Sequence, residues 1–203
     1  MIWLVLTIAV WGAVHSWMAS LGFQDAVRRT LGEGAARLSR LAYNLFSVAS
    51  FAPILVLMRA LPDHVLYTVP SPWLFIMLAG ELAAILCIIV TLLQVDAASF
   101  IGLRQVFERE QPSQLVTNGF YRWIRHPLYL FGLLVIWLTP VMTLNLLVVY
   151  LALTGYLIIG AMFEERKLLR EYGAAYAEYK ARTPMIIPLP RMPDKAARGS
   201  RSA

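Results

Sequence analysis

Long apolar runs constrain this chain more than any other feature. A helix needs about 20 mostly apolar residues to cross the hydrocarbon core of a bilayer. The chain is 59% hydrophobic and 15% charged, whereas a soluble domain is about 45–50% apolar and about 25% charged. The composition therefore predicts an all-α integral membrane protein. Five segments have the length of a membrane span or approach it: 2–20, 41–60, 72–94, 127–142 and 144–163.

Proline positions and polar turns refine these five predicted transmembrane helices. The first run precedes the first basic residues, Arg28 and Arg29, so it is interpreted as a retained helix and not as a cleaved signal. Pro53 predicts a kink in the second helix, and Pro127 suits the first turn of the fourth. The fourth run is short and ends near Pro140, where "TPVMTLN" predicts a tight turn and a hairpin of helices four and five.

The distribution of basic residues predicts the orientation in the membrane. The predicted loops 21–40 and 95–126 contain four each, and the segment from 164 onwards contains nine. The predicted loop 61–71 and the predicted turn 140–143 contain none. The positive-inside rule then places the N-terminus outside and the C-terminus in the cytoplasm. This topology accounts for the net charge of +6, and nucleic acid is not expected as a partner.

The chain after the last span is predicted to form a cytoplasmic amphipathic helix. Apolar and aromatic side chains recur there at helical spacing between charges. The predicted organisation is helices one to three in 1–94, a functional core with helices four and five and the C-terminal helix in 95–190, and a disordered basic tail in 191–203. The recurring residues are Leu168, Leu169, Tyr172, Tyr176 and Tyr179.

Several chemistries lack the residues that they need. The single cysteine, Cys87, excludes an internal disulfide or a cysteine metal site. No glycine-rich turn between strand and helix, HExxH motif or Walker loop occurs, and no metal site is expected. The chain also contains no internal repeat.

Polar residues cluster at the predicted cytoplasmic ends of the helices. Ionisable residues in spans are costly and suggest function, although polar residues also accumulate at helix ends near water. His15 with Ser16 is either a base or a helix–helix contact. Glu81, in the middle of helix three, is interpreted as a neutral hydrogen-bonded group in preference to a substrate contact. The cluster contains His15, Ser16, Asn44, Gln94, Asp96, His126, Glu164 and Glu165.

Two separated blocks resemble a known family. These blocks are "QLVTNGFYRWIRHPLYLFGLL" and "EERKLLREYGAAYAEYKARTPMIIP". They resemble the integral membrane methyltransferases that include isoprenylcysteine carboxyl methyltransferase and the phospholipid methyltransferases. The resemblance covers about residues 95–190. It implies S-adenosylmethionine as methyl donor, bound at the cytoplasmic face, a small or lipophilic acceptor, and by default a bacterial inner membrane.

The resemblance also implies the cofactor contacts, matched position by position. His126 and the first turn of helix four would meet the charged amino acid end of the cofactor, and Glu164 would accept hydrogen bonds from it. Arg125 is interpreted equally as a cofactor contact or a headgroup anchor, and Arg122 more as an anchor. The implied contacts are Ser113, Gln114, Leu115, Val116, Tyr121, His126, Pro127, Leu128, Tyr129 and Glu164.

One departure from the family pattern narrows the range of possible methyl acceptors. The carboxyl methyltransferases have an arginine one helical turn before Glu164, where this chain has Gly160, so an acceptor that needs an arginine clamp is not favoured. The segments "HSWMAS", "RLAYNLFS", "DAASFIGLRQ" and "WLTPVMTLN" resemble the methanethiol S-methyltransferase group and the related nitrogen-regulation membrane proteins. A small thiol would need a base, and His15 and Asp96 are the candidates. A non-catalytic accessory protein of the same fold and a small transporter using Glu81 and Asp96 are the alternatives.

Overall fold

The computed structural model describes residues 2–95, 101, 103, 104 and 114–188, and these residues are mainly helical. The predicted base Asp96, the predicted cofactor contact Ser113 and the predicted tail 191–203 lie outside the described residues. The elements in chain order are α1 Ile2–Ala19, α2 Leu21–Ser50, α3 Ala52–Ala60, β1 Val65–Thr68, α4 Trp73–Gln94, a 3-10 helix Gly119–Arg122, α5 Pro127–Trp137, β2 Val141–Thr143, α6 Leu144–Tyr172 and α7 Ala174–Arg182.

Four helical stretches in the described part of the chain are long and apolar enough to cross a membrane. They are α1, the α2–α3 stretch from Gly22 to Ala60, α4 and α6. Large apolar side chains on them are exposed, such as Val48 and Leu93 at 78% each, which is the surface expected to face lipid. The fourth predicted span, 127–142, folds as the 11-residue α5, which is about 17 Å long against a hydrocarbon core of about 30 Å.

The segment 21–40, predicted to be a loop, is helical. Ser20 begins α2 as its N-cap, and its Oγ accepts a hydrogen bond from the Phe23 N–H at 3.2 Å. The segment contains no proline, and its helix-forming residues outweigh the charge that suggested a loop. Gly32 interrupts the helix with φ of 81°, a conformation that glycine adopts readily. Near Pro53 the two helices meet at Phe51, since α2 ends at Ser50 and α3 begins at Ala52. The kink expected from Pro53 stays a prediction.

A short two-stranded ribbon joins two connections that the sequence predicted only as loops. Strands β1 and β2 are antiparallel, with Tyr67 opposite Met142 and Thr68 opposite Val141. The Leu144 N–H donates to the His64 carbonyl at 2.9 Å, next to the ribbon. The ribbon therefore ties the α3–α4 connection to the α5–α6 connection.

Helix α6 packs against the N-terminal helices α1 and α3 and also against the C-terminal helices α5 and α7. Val149 of α6 packs in a buried cluster with Leu4 and Ile8 of α1 and Ile54 of α3. Helix α6 also contacts α5 and α7, while α4 packs against α5. The final predicted span, 144–163, continues as helix to Tyr172, and Gly173, with φ of 54°, separates it from α7. Glu164 and Glu165 consequently lie within α6 and not at its end.

Candidate functional site

The centre of the site is an ion pair between Arg125, just before α5, and Glu165 in α6. Both side chains are about 95% buried, and Arg125 Nε donates to Glu165 Oε1 at 2.7 Å. Lys180 of α7 reaches the second oxygen of Glu165 at 2.7 Å. Arg125 also donates to the carbonyls of Lys180, at 3.0 Å, and Thr183. One buried guanidinium therefore joins α5, α6 and α7 with nearly all its donors satisfied.

Backbone hydrogen bonds hold the end of the described chain against the start of α5. The Arg125 N–H donates to the Pro184 carbonyl at 2.9 Å, and the His126 N–H donates to the Met185 carbonyl at 3.0 Å. Pro184 follows the buried Thr183. The orientation of His126 is thus fixed by backbone as well as by its neighbours.

His126 lies between the two glutamates of α6. Its Nδ1 is 3.6 Å from Glu164 Oε2, and its Nε2 is 3.5 Å from Glu165 Oε1. Nε2 is buried and has no hydrogen-bond partner within the described residues. Tyr129, one turn along α5, stacks on the imidazole at 5.2 Å and donates to Glu164 Oε2 at 2.8 Å. The Glu164 side chain is 45% exposed, so this carboxylate remains accessible to a ligand.

Tyrosines continue the site towards the 3-10 helix. Tyr179 of α7 donates to the Tyr121 carbonyl at 2.6 Å. Burial, reinforced by the nearby Glu164 carboxylate, raises the pKa of Tyr121 to about 12. Burial likewise raises the pKa of Tyr179 to about 12, against the opposing influence of Arg125. Both phenols are neutral at physiological pH and act as hydrogen-bonding groups.

The contact between α4 and the 3-10 helix requires a glycine. Gly119 has φ of 56°, and a Cβ there would lie 2.4 Å from the amide of Gln94. That amide accepts a hydrogen bond from the Phe120 N–H at 3.2 Å. Gln94, predicted as part of the polar cluster at the cytoplasmic ends of the helices, therefore positions the segment that leads to Tyr121.

The structure brings some of the predicted cofactor contacts together and places others in the first turn of α5 and in the segment before the 3-10 helix. His126, Tyr129 and Glu164 converge, and Tyr121 lies within electrostatic range of Glu164. Pro127 is fully buried and Leu128 is partly buried in the first turn of α5. Residues 114–117 have no regular secondary structure; Gln114 is exposed, and Leu115 and Val116 are partly buried. Thr117, next along the chain, lines a cavity of about 430 Å³ with Arg122, Tyr179, Arg182 and Thr183.

The predicted base His15 belongs to a second cluster, between α1, α2 and α6. Its ring nitrogens contact the hydroxyls of Tyr43 and Ser47. Trp11 stacks on it at 4.8 Å, and Tyr156 packs edge-on at 5.6 Å. Within the described residues no ion pair reaches Glu81, which is partly buried in α4.

Sequence reasoning missed several residues of the site. The sequence indicates Glu165 only as a polar helix end, and it leaves Arg125 equally a cofactor contact or a headgroup anchor. The burial of Arg125 contradicts the role of headgroup anchor. The available signal was the second glutamate directly after an apolar run, because a carboxylate buried there needs a cationic partner, but the sequence does not indicate which cation. No sequence spacing predicts the roles of Lys180 and Tyr43, since their partners are distant in sequence.

The fold and the site together define a membrane-embedded helical protein with a polar site where α5, α6 and α7 meet. Residues 75–175 match the phospholipid methyltransferase family. The methanethiol S-methyltransferase of Crocosphaera subtropica is 30% identical over 193 residues, covering 89% of this chain and 72% of that protein. The enzyme of the same name from a Pseudomonas species is 30% identical over 194 residues, covering 90% of this chain and 71% of its own length.

A shorter match has higher identity. Methanethiol S-methyltransferase 2 of Bradyrhizobium diazoefficiens is 39% identical over 99 residues, which cover 46% of this chain and 38% of that enzyme. No solved structure matches the chain significantly. The chain belongs to the integral membrane methyltransferase family, in its methanethiol S-methyltransferase branch. The family resemblance of the two sequence blocks is thereby confirmed.

Proposed function

We propose that this protein transfers a methyl group from S-adenosylmethionine to a small thiol at the cytoplasmic side of a bacterial inner membrane. The observation that carries the proposal is the convergence of His126, Tyr129 and Glu164 beside a buried ion pair in a chain of this family. A non-catalytic scaffold would gain nothing from an accessible carboxylate held beside a histidine whose Nε2 is buried and has no hydrogen-bond partner among the described residues.

The residues present fit the methyl donor. Its amino acid end carries an ammonium and a carboxylate, and its ribose carries two hydroxyls. The His126 imidazole, whose Nε2 has no hydrogen-bond partner among the described residues, and the accessible Glu164 carboxylate are complementary to such groups. The donor, when bound, supplies a methyl group already activated on a sulfonium. Tyr121, Pro127 and Leu128, with Ser113, Gln114, Leu115 and Val116 as the preceding segment, would complete the contacts.

The chain's own residues position the reacting groups. Arg125 and Glu165 fix α5 against α6, so that Tyr129 and Glu164 keep their geometry without a ligand. Positioning of this kind supplies much of the rate in a bimolecular transfer. His15 and Asp96 are the proposed bases for a thiol, because a thiolate is the stronger nucleophile.

A small thiol is favoured over an acceptor with a carboxylate. Gly160, one turn before Glu164, has open space where a Cβ would lie, and a glycine offers no cation for a carboxylate. The relatives over most of the chain are named methanethiol S-methyltransferases. A prenylated carboxylate or a phospholipid remains the alternative acceptor, and product analysis distinguishes these cases.

The proposed topology has five spans. The two connections joined by the β1–β2 ribbon contain no lysine or arginine, which supports an outside location for both. Helix α5 with the residues that follow it then forms a hairpin with α6, and α7 lies on the cytoplasmic side. Residues 1–94 supply the first three spans, and 95–190 supply the methyltransferase core.

Calorimetry on the detergent-purified protein tests the donor site. Wild type should bind S-adenosylmethionine, and Glu164→Gln and His126→Ala should weaken binding at least about 10-fold, as expected for a hydrogen bond to a charged group. Glu178→Gln, which alters an exposed carboxylate on α7, is the matched control and should bind normally. Absence of binding by folded wild type would contradict the proposal. If the wild type binds the donor, detection of dimethyl sulfide as the product from methanethiol would identify the acceptor class.

A further inference from the structure

The hydrogen bonds around His15 determine which of its nitrogens carries the proton. Ser47 Oγ lies 2.6 Å from the Tyr43 carbonyl and 2.9 Å from His15 Nδ1. A hydroxyl has one hydrogen, and a carbonyl can only accept it. Ser47 therefore donates to the carbonyl and accepts from His15, which makes Nδ1 the protonated nitrogen.

The same reasoning fixes the role of Tyr43. With Nδ1 protonated, His15 Nε2 carries a lone pair in the neutral imidazole. The Tyr43 hydroxyl contacts Nε2 and must donate to it. Hydrogen bonds thus run in one direction, from Tyr43 through His15 and Ser47 back to the Tyr43 backbone.

Because both nitrogens are occupied, His15 does not reach another molecule directly. Trp11 and Tyr156 cover its ring, while Trp11 Nε1 donates to Ser50 Oγ at 3.1 Å and so is held in place. The Tyr43 oxygen keeps a free lone pair while its hydroxyl donates a hydrogen bond to His15. It is the group through which His15 can act on a ligand.

Helix α6 links the Tyr43–His15–Ser47 chain to the proposed donor site. Tyr156 of α6 packs on His15, and Glu164 of α6 accepts from Tyr129 at 2.8 Å. Tyr156, Gly160 and Glu164 are spaced by four residues along one side of α6. A Cβ at Gly160 would meet no atom of the described residues within 4 Å, so α6 leaves room for a small group between the positions of Tyr156 and Glu164.

Resting on the proposed function, we infer that this space receives the acceptor thiol and that Tyr43, backed by His15, takes its proton. As the sulfur–carbon bond forms, the donor's sulfur–carbon bond breaks and its electron pair returns to the donor sulfur. The thiol proton moves to the Tyr43 oxygen while the Tyr43 proton moves to His15 Nε2. The products are a thioether, the neutral demethylated donor and an imidazolium that later releases one proton to water.

Two thiols of similar size and different acidity test this relay. Trifluoroethanethiol is far more acidic than ethanethiol and needs less help from a base. Tyr43→Phe and His15→Gln should lower kcat with ethanethiol about 100-fold, a typical contribution of general base catalysis, and lower kcat with trifluoroethanethiol much less. The rate of His15→Gln with ethanethiol should recover as pH rises. Among the described residues, the titratable groups that face His15 are Tyr43 and Tyr156.

Donor binding separates this inference from the proposed function. Calorimetry should show unchanged S-adenosylmethionine affinity in Tyr43→Phe and His15→Gln. Equal losses with both thiols, or full ethanethiol activity in Tyr43→Phe, would overturn the relay while leaving the methyltransferase assignment intact. Failure of wild type to bind the donor would overturn the assignment and the relay together.

A spectroscopic readout does not depend on turnover. Nitrogen-15 NMR of histidine-labelled wild type, with His15 assigned by comparison with His15→Gln among the three histidines, should show a neutral ring protonated at Nδ1. Ser47→Ala removes the acceptor and should shift His15 towards the Nε2–H tautomer. A wild-type His15 protonated at Nε2 would reverse the hydrogen bonds and overturn the inference.

Discussion

At the scale of single residues, the Arg125–Glu165 pair determines whether the site is organised. A buried ion pair is stabilising only when its geometry and further hydrogen bonds offset the cost of desolvation. Here Arg125 has two backbone carbonyls and Glu165 has Lys180 as additional partners. The pair therefore specifies how α5, α6 and α7 meet, and Tyr129 and Glu164 depend on that arrangement.

Removal of one charge should be strongly destabilising. Glu165→Gln leaves the Arg125 guanidinium buried without its counter-charge, and the free energy of unfolding should fall by about 3 kcal/mol. Arg182→Gln is the control, because the side chains of Arg182 and its partner Glu178 are 64% and 74% exposed. This substitution should lower the free energy of unfolding by less than about 1 kcal/mol. Thermal unfolding in one detergent measures both. Equal effects would show that burial of the pair does not matter.

At the scale of elements, the β1–β2 ribbon and the start of α6 share one carboxylate. Asp63 Oδ1 accepts from the His64 N–H at 2.9 Å and from the Asn145 N–H, in the first turn of α6, at 3.0 Å. A negative charge is favourable at a helix N-terminus. Asp63 therefore joins the α3–α4 connection to the helix that carries Glu164 and Glu165.

Acid should weaken this junction. Burial, the largest single effect, raises the pKa of Asp63, but hydrogen bonds from Thr143, Asn145 and His64 together lower it below its ordinary value. Because the folded-state pKa is the lower one, the stabilisation is full above the unfolded pKa of about 3.9. It is lost as pH falls through the folded-state value.

Asp63→Asn tests this linkage. The variant should be less stable than wild type at pH 7 by about 1 kcal/mol or less, since the site is exposed. The difference should shrink below about pH 4, where wild type also loses the charge. Unfolding midpoints measured from pH 3 to pH 7 check this, and a difference that does not change with pH would contradict the role of the charge.

At the scale of the whole molecule, the sequence predicted the apolar helices and the convergence of His126, Tyr129 and Glu164 better than it predicted the connections. Apolar periodicity and the two motif blocks are local signals. The pairing of Arg125 with Glu165, 40 residues away, depends on how three helices pack, and no local pattern encodes it. The ribbon escaped prediction because strands of four and three residues carry too little alternation.

The orientation of the whole chain is tested by labelling from one side of the membrane. Cys87 is the single cysteine, so Cys87→Ala provides a background in which one new cysteine reports one position. Asp63→Cys should react with a membrane-impermeant maleimide in intact cells, because the connections joined by the ribbon contain no basic residues and should lie outside. Glu178→Cys, exposed on α7, should react only after the cells are opened. The reverse pattern would place the proposed donor site outside, away from the cytoplasmic supply of S-adenosylmethionine, and would contradict both the topology and the proposed activity.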